Sequence, residues 1–567
     1  MYRVNILRQD YSKIELINGD EKIIYNGQSR GLFHNDEVKI NEDGSLHILF
    51  RSLPQYLVGE LELYSSHIFK STTRTPLYLF KPLDVRYPKF YVHSNGRAKY
   101  NRNILISINE LGWNDNNNLP HGKVYDVYGV YDDINVIEQA LCNHYNLLDN
   151  DYRLKNTPIV KYGYEISRTE IKEDIYSIDP IGCLDIDDAF SIKVDNDYFH
   201  LWIHIADVYS NLMSWFDDAS YIVYHLYQGS SIYLRTQIKH MLSSIWAKNI
   251  CSLLEGTKKN MLTLYIRLDR NENIECNLYP SVGKITKNYN YDNSVKLCRD
   301  YYDKVYKIYS IFLKKYGNNN MSDKIDNTHK FIEALMIIYN LYYGNEVAKD
   351  WTYRLLRVQK NKKYDMILDN MNDKYDRDLS KFLMIISSNN AQYSVEKDNI
   401  GHSSLGVRGY THVTSPIRRK VDLINQMMYY NSDVIKKGII DGMVSDINDY
   451  EKRVKRLTRD LNKIYLLERV YYKPNYETGC YIYGVNIEKN RMSLYFPREK
   501  LTFKIRILMI DLVDMYDISI YDGSIIIKNK QVNEVEKRLE MMKLLRVRVN
   551  GEPRINKLDD GLLIDFI

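Results

Sequence analysis

Along the chain the spacing of apolar positions switches between a period of two and a helical period, and those switches divide it into segments. Over residues 1 to 75 short β-like runs, KIIYNG, GLFHNDEVKI and SLHILF, alternate with turns such as Glu42-Asp43-Gly44. Short strands without long helices predict a small β-barrel. A second unit of this kind begins at Leu77 with LYLFKPLDVRYPKFYV and runs through ILISINELGW and GKVYDVYGV, within residues 76 to 150. At VIEQALCNHYNL, Val136 to Leu147, the period becomes helical, and DNDYRLKN then reads as a polar linker. A large domain is predicted from about residue 159 to 470, strand-rich in its first half. Its second half is helical, through KVYKIYSIFLKKY, HKFIEALMIIYNLYYGNEVA and the charged run from Asp446 to Tyr471. Past Pro474 the runs CYIYGV, MSLYF, TFKIRILMI, SIIIKN, LLRVRVN and LLIDFI predict one more barrel over residues 475 to 567.

One stretch does not fit a solvated loop. SIDPIGCLDIDDA, Ser177 to Ala189, places Asp179, Asp185, Asp187 and Asp188 close together, between IGCL and the apolar runs AFSIKV and LWIHIADV. Crowded carboxylates repel unless protons or cations neutralise them, so the pattern points to one divalent cation site or two. Asp185 and Asp187 would share one face of an extended segment, with Pro180 and Gly182 bending the chain so that Asp179 swings back. The alternating ligands, central glycine and closing glutamate of an EF-hand loop are not in register here.

Composition adds little to this picture and removes several alternatives. At 567 residues the chain predicts three or four domains, and 44% hydrophobic with 27% charged residues describes a folded protein. A net charge of +5 does not announce a nucleic-acid binder, so basicity has to be local. In the second barrel Arg74, Lys81, Arg86, Lys89, Arg97, Lys99 and Arg102 alternate with Tyr78, Phe80, Tyr87, Phe90, Tyr91 and Tyr100. Any one of these rings is better explained as barrel core, but the patch as a whole predicts a single-strand binding face. The six cysteines show no CxxC spacing, which argues against a zinc site or a disulfide framework. MYRVNILRQD has no apolar h-region and no run approaches membrane-spanning length, so a soluble, intracellular and cytoplasmic protein is expected.

SIDPIGCLDIDDAFSI resembles the signature of the ribonuclease II/ribonuclease R family, the RNB-domain exoribonucleases that include the exosome catalytic subunit. HIADV (His204 to Val208), SSIYL with HMLSSIWAKNICSL (Ser230 to Leu253) and GYTHVTSPIRRKVDL (Gly409 to Leu423) agree with it in order and spacing. The resemblance implies an α+β multidomain fold: two N-terminal OB/cold-shock-type β-barrels, a central mixed α/β RNB catalytic domain and a C-terminal OB-like barrel. It also implies a magnesium-dependent, processive 3'-to-5' exoribonuclease that hydrolyses single-stranded RNA to nucleoside 5'-monophosphates, with Mn2+ as a substitute ion. Two metals would serve such a hydrolysis by activating water on one side and stabilising the leaving oxygen on the other.

Carried over by motif, Asp179, Asp185 and Asp188 surround the principal magnesium, and Asp187 is the metal-site carboxylate most tightly tied to the chemistry, through a second metal or the attacking water. Arg418 contacts the scissile phosphate, with Arg419 beside it as a second substrate contact. Tyr233 stacks on the 3'-terminal base, while Tyr291 and Glu333 sense ribose 2'-hydroxyls. Glu333 also draws attention as a carboxylate on an otherwise apolar helix face, where burial without a partner is costly. His204 and His412 are expected to be structural. Three departures from the family pattern stand out: a shortened segment between Tyr316 and His329, Lys420 where a tyrosine is usual, and Thr458 where a glutamate can occur. An RNA-binding protein with a decayed site, and endonuclease or phosphatase chemistry on the same metals, remain as rival readings. The resemblance implies a monomeric catalytic unit and raises an RNA-degradation assembly as partner.

Overall fold

The computed structural model describes residues 1–7, 14–25, 31–64, 75–113, 119–147, 166–216, 219–226, 228–317, 324–349, 354–360, 376–387, 390–395, 401–430, 437–508, 515–531, 534–553, 555, 558 and 561–567. Two compact units emerge, one of residues 1–147, 375–379 and 455–567, the other of 148–374 and 380–454. The predicted linker DNDYRLKN and Arg74 lie outside the described residues.

The first unit begins with β1 (Tyr2–Ile6), β2 (Ile14–Asn18), β3 (Glu21–Tyr25), β4 (Glu37–Ile40) and β5 (Leu46–Phe50), an antiparallel sheet in the order β3-β2-β1-β4-β5. Its alternating Val4, Ile6, Ile14, Leu16 and Val38 are buried together. The next five strands close into a barrel: β6 (Leu57–Glu62), β7 (Leu77–Pro82), β8 (Phe90–His93), β9 (Ile104–Gly112) and β10 (His121–Val130). Strand β6 falls in the stretch predicted for the first barrel, yet it pairs with β7 and β9. Leu57, Leu61 and Leu63 feed the second core, and Gly59 lets the strands meet, since a Cβ there would sit 2.2 Å from the Lys81 carbonyl oxygen.

The same barrel shows why cations and rings alternate in the sequence. Side chains on a strand point to opposite faces, so the interleaving separates inside from outside. Tyr78, Phe80, Tyr87 and Phe90 are buried core, leaving Tyr91 and Tyr100 as the partly exposed rings of the expected binding face. Lys81, Arg86 and Arg102 are paired with Glu62, Asp84 and Asp132, and Arg97 lies over the Tyr64 ring at 5.0 Å. The expected stacking face is thus reduced to a few groups.

The C-terminal part of this unit is a five-stranded antiparallel sheet, ordered Leu501–Arg506, Arg491–Phe496, Tyr476–Asn486, Leu544–Gly551 and Leu562–Phe566. A separate three-stranded sheet of Tyr516–Tyr521, Ser524–Asn529 and Val535–Glu540 shares its core through Ile525, Ile527 and Leu539.

The second unit is built on a sheet of β11 (Thr169–Glu170), β12 (Ile175–Asp179), β13 (Asp188–Val194), β14 (Tyr198–Ala206), β15 (Lys258–Asp269) and β16 (Ile274–Asn290), ordered β11-β16-β12-β13-β14-β15, with β15 and β16 also paired. One face packs Phe190, Ile203, Leu264 and Ile266 against α1 (Tyr302–Tyr316) and α2 (Thr328–Tyr342) through Phe312, Phe331, Leu335 and Ile338. The other face packs Ala189, Ala206 and Met261 against α3 (Lys420–Tyr430) through Val421, Ile424 and Met427. A buried polar row crosses that second face. Ser191 Oγ and Thr263 Oγ1 hydrogen-bond the His204 ring at 3.0 and 2.8 Å, and Thr263 meets Ser281 at 2.6 Å. Burial drives the His204 pKa down to about 3, so this ring is neutral and structural, as its position suggested.

Replacing Phe80 by alanine should destabilise the barrel by about 3–5 kcal/mol, because a filled core position becomes a cavity. Lys99→Ala, on an exposed residue, should cost less than about 0.5 kcal/mol. Denaturant unfolding of the two variants checks the assignment of inside and outside.

Candidate active site

The four aspartates occupy the crossing from β12 to β13. Asp179 ends β12, a turn at Pro180 to Cys183 reverses the chain with Gly182 at φ 81°, and Asp188 opens β13. Between them the loop is pinned at Ile186, whose amide donates to Ser252 Oγ at 2.9 Å and whose carbonyl accepts from Leu253 at 3.0 Å. Ile186 is buried in the hydrophobic core between Asp185 and Asp187.

Each carboxylate meets a different environment. Asp187 is held on both oxygens: Ile417 N–H donates to Oδ1 at 2.8 Å and Arg418 Nε to Oδ2 at 2.9 Å. Burial nevertheless pushes its pKa up to about 7, against the lowering by Arg418 and the Ile417 amide. Asp185 accepts the Tyr233 hydroxyl at 2.5 Å, and His240 Nδ1 lies 3.8 Å from the same Oδ2. Asp179 Oδ2 is buried with no hydrogen-bond partner among the described residues, and its pKa rises to about 6 through burial, with Asp185 adding to the rise. Burial and then the Asp179 charge raise Asp188 to about 8. Burial thus disfavours negative charge at Asp179, Asp187 and Asp188 alike, and Asp187 differs in having a hydrogen-bond donor on each oxygen.

The hard oxygen donors of these aspartates suit a divalent cation such as Mg2+. Among the described residues no three His, Cys, Asp or Glu side chains converge closely enough to hold an ion as they stand.

Arg418 keeps a side chain 44% exposed while its Nε is fixed on Asp187 and one Nη donates to Ser415 Oγ at 3.2 Å. Burial works against its charge, but Asp187, Tyr233 and Asp188 more than offset it. Arg419 differs from the expectation. Its guanidinium turns inward, donating to Asp422 at 2.8 Å, to His412 Nδ1 at 3.1 Å and to Thr414 at 3.5 Å. A guanidinium can only donate, so His412 Nδ1 accepts and the ring is neutral. Successive residues of this turn therefore face opposite ways, and Arg419 braces the turn that carries Arg418.

Tyr233 is 51% exposed with only its hydroxyl tied down, so its ring face is open. Tyr291 stacks on His329 at 3.8 Å and 5°, and its pKa is raised by burial and then by Asp188 and Asp179, which places it beside the cluster. Glu333 is exposed, which removes the argument from a buried carboxylate. It lies one helical turn from His329 on α2, on the same face. His240 and His329 were missed in the sequence; the spacing of four between His329 and Glu333 was the available signal for the latter. Lys420 is buried, and its ammonium donates to the carbonyls of Leu226 at 2.7 Å and Tyr224 at 3.2 Å.

The sheet, its flanking helices and the aspartate-bearing crossing define an RNB domain, and the RNB domain profile matches residues 168–307 and 303–432. A Dis3-like cold-shock domain 2 matches residues 77–146, the second barrel. Residues 168–432 thus form an RNB domain, and the chain is similar to the ribonuclease R proteins. Ribonuclease R of Aquifex aeolicus is 24% identical over 384 residues, 56% of this chain and 52% of that protein. The probable exosome complex exonuclease RRP44 of Caenorhabditis elegans is 21% identical over 485 residues, 71% of this chain and 49% of that protein. The chain spans about half the length of the curated relatives it matches. Among solved structures, Mycoplasma genitalium RNase R in complex with ribose-methylated single-stranded RNA superposes with TM-score 0.77 at 17% identity, covering 100% of both chains. Yeast Ssd1, a pseudonuclease, superposes with TM-score 0.67 at 12% identity, covering 100% of this chain and 96% of that one. The shared fold is clear from both. Among the described residues no helix is long and apolar enough to cross a membrane.

The raised carboxylates set a pH dependence. An aspartate whose folded pKa lies above its unfolded value contributes stability below about pH 4, and loses it as pH rises through the folded pKa. With Asp179 near 6, Asp187 near 7 and Asp188 near 8, metal-free protein should melt at falling temperature from pH 5 to 8.5. Mg2+ should restore more of the melting temperature at pH 8 than at pH 5; calorimetry in chelator and in Mg2+ measures both slopes.

Proposed function

We propose that the chain is a metal-dependent, processive 3'-to-5' exoribonuclease that hydrolyses single-stranded RNA to nucleoside 5'-monophosphates. The observation that carries this reading is the pair Asp179 and Asp188, raised in pKa by burial, beside an Arg418 guanidinium that is oriented by Asp187 and still open to solvent. The names of the relatives and the RNA in the complex with the M. genitalium enzyme support the choice of RNA.

Divalent cations bound by these carboxylates would supply an activated water and charge relief for the leaving oxygen. The protein's own groups do the rest. Arg418 holds a non-bridging oxygen of the scissile phosphate with its free N–H groups, and this contact strengthens as charge grows on the phosphoryl oxygens. Asp187 keeps that guanidinium in register. The open face of Tyr233 takes the terminal base, while Tyr291, steadied by His329, and exposed Glu333 meet ribose hydroxyls. Water adds to phosphorus, the P–O3' bond breaks, and the products are a nucleoside 5'-monophosphate and a strand one residue shorter with a 3'-hydroxyl.

The likeness to the pseudonuclease Ssd1 favours one rival, binding without cleavage. Retention of all four aspartates and Arg418 speaks for cleavage instead. A 5'-labelled single strand in Mg2+ separates the two: full-length RNA should pass to a short labelled limit product with few intermediates. In Asp187→Asn cleavage should fall by roughly 100- to 1000-fold, the size of losing a preorganised charge contact, with strand affinity within about threefold of wild type. Tight binding of intact RNA by the unaltered chain would establish the rival.

A further inference from the structure

Lys420 stands where the family pattern has a tyrosine, and its contacts are unlike those of a surface lysine. It is 7% exposed, with its ammonium on the Leu226 and Tyr224 carbonyls at 2.7 and 3.2 Å. Its own amide donates to the Gly229 carbonyl at 2.9 Å, and the Ser231 amide donates to the Arg418 carbonyl at 2.9 Å. Between these bonds Ser230 and Arg419 form an antiparallel bridge. The turn at 418–420 is thereby sewn to the segment ending at Ser231. Two residues beyond Ser231 stands Tyr233, whose hydroxyl is on Asp185; at the other end stands Arg418, whose Nε is on Asp187.

A buried ammonium is a poor choice for stability alone. Burial pushes its pKa down to about 8, with Asp446 opposing the fall, and a methionine of similar size would avoid that cost. What lysine supplies is reach and valence. Three N–H donors on a long stem satisfy two carbonyls at once, whereas a tyrosine has a single O–H to give.

We infer that Lys420 is a positioning residue that makes Arg418 and Tyr233 one rigid unit, so that phosphate and terminal base are gripped in a fixed relation. This rests on the reading of Arg418 and Tyr233 as substrate contacts. Hydrogen exchange without RNA tests the staple by itself: in the full chain carrying Lys420→Met, the Ser231 amide should exchange about tenfold faster or more, while the global melting temperature is unchanged or raised. Lys420→Tyr, which keeps one bond at most, should fall between. The KM for single-stranded RNA should rise roughly three- to tenfold with kcat within about twofold, and in a Tyr233→Ala background the same substitution should add less than about twofold. Unchanged Ser231 exchange, or an equal KM effect in the Tyr233→Ala background, overturns the inference. If Tyr233→Ala alone leaves KM at the wild-type value, the base-contact reading fails, and with it the role given to Lys420, even where exchange reports the staple intact.

Discussion

The contact on which the site depends is the one between Asp187 and the turn at Ile417 and Arg418. A backbone amide and a guanidinium nitrogen, from residues about 230 positions away, close on the two oxygens of one buried carboxylate at 2.8 and 2.9 Å. That joint brings the start of β13 to the start of α3, and it decides what each charged group can do. Arg418 spends its Nε on Asp187 and keeps its outer edge open. Asp187, accepting a hydrogen bond on each oxygen, anchors that turn.

Asp185 raises the pKa of Asp179, and Asp179 that of Asp188, in a place where burial already disfavours charge, and Arg418 relieves only part of it. A second charge layer lies behind them, in which Arg419 and Asp422 pair at 2.8 Å and His412 accepts from Arg419. That layer is committed to protein contacts, so it holds the turn in place.

Much of this was legible in the sequence because it depends on short spacings. The aspartate cluster and its position between two strands follow from a few residues of pattern. What was misread depends on which way a side chain faces. Arg418 and Arg419 are adjacent and chemically identical, and only the position of Asp422 shows that one stays open to solvent and the other turns to the core. Tyr78 and Phe80 are core, as any single ring was expected to be, and only the extent of the binding patch was overread, because strand pleating sends these rings inward and the cations outward. Glu333 seemed buried because its neighbours are apolar, whereas the helix turns it to solvent. Strand β6 lay in the wrong barrel because closure is decided by partners up to about 50 residues away, where local periodicity carries no information.

The central claim is a division of labour: Asp179 and Asp188 bind the cation, and Asp187 holds Arg418. Titration of metal-free protein with Mn2+, with free ion read by its electron paramagnetic resonance, tests this without RNA or catalysis. The account predicts saturable binding in the unaltered chain, weakening of about tenfold or more in Asp179→Asn and in Asp188→Asn, and near-normal affinity at that site in Asp187→Asn. Loss of all Mn2+ binding in Asp187→Asn, with binding retained in the other two variants, would contradict it.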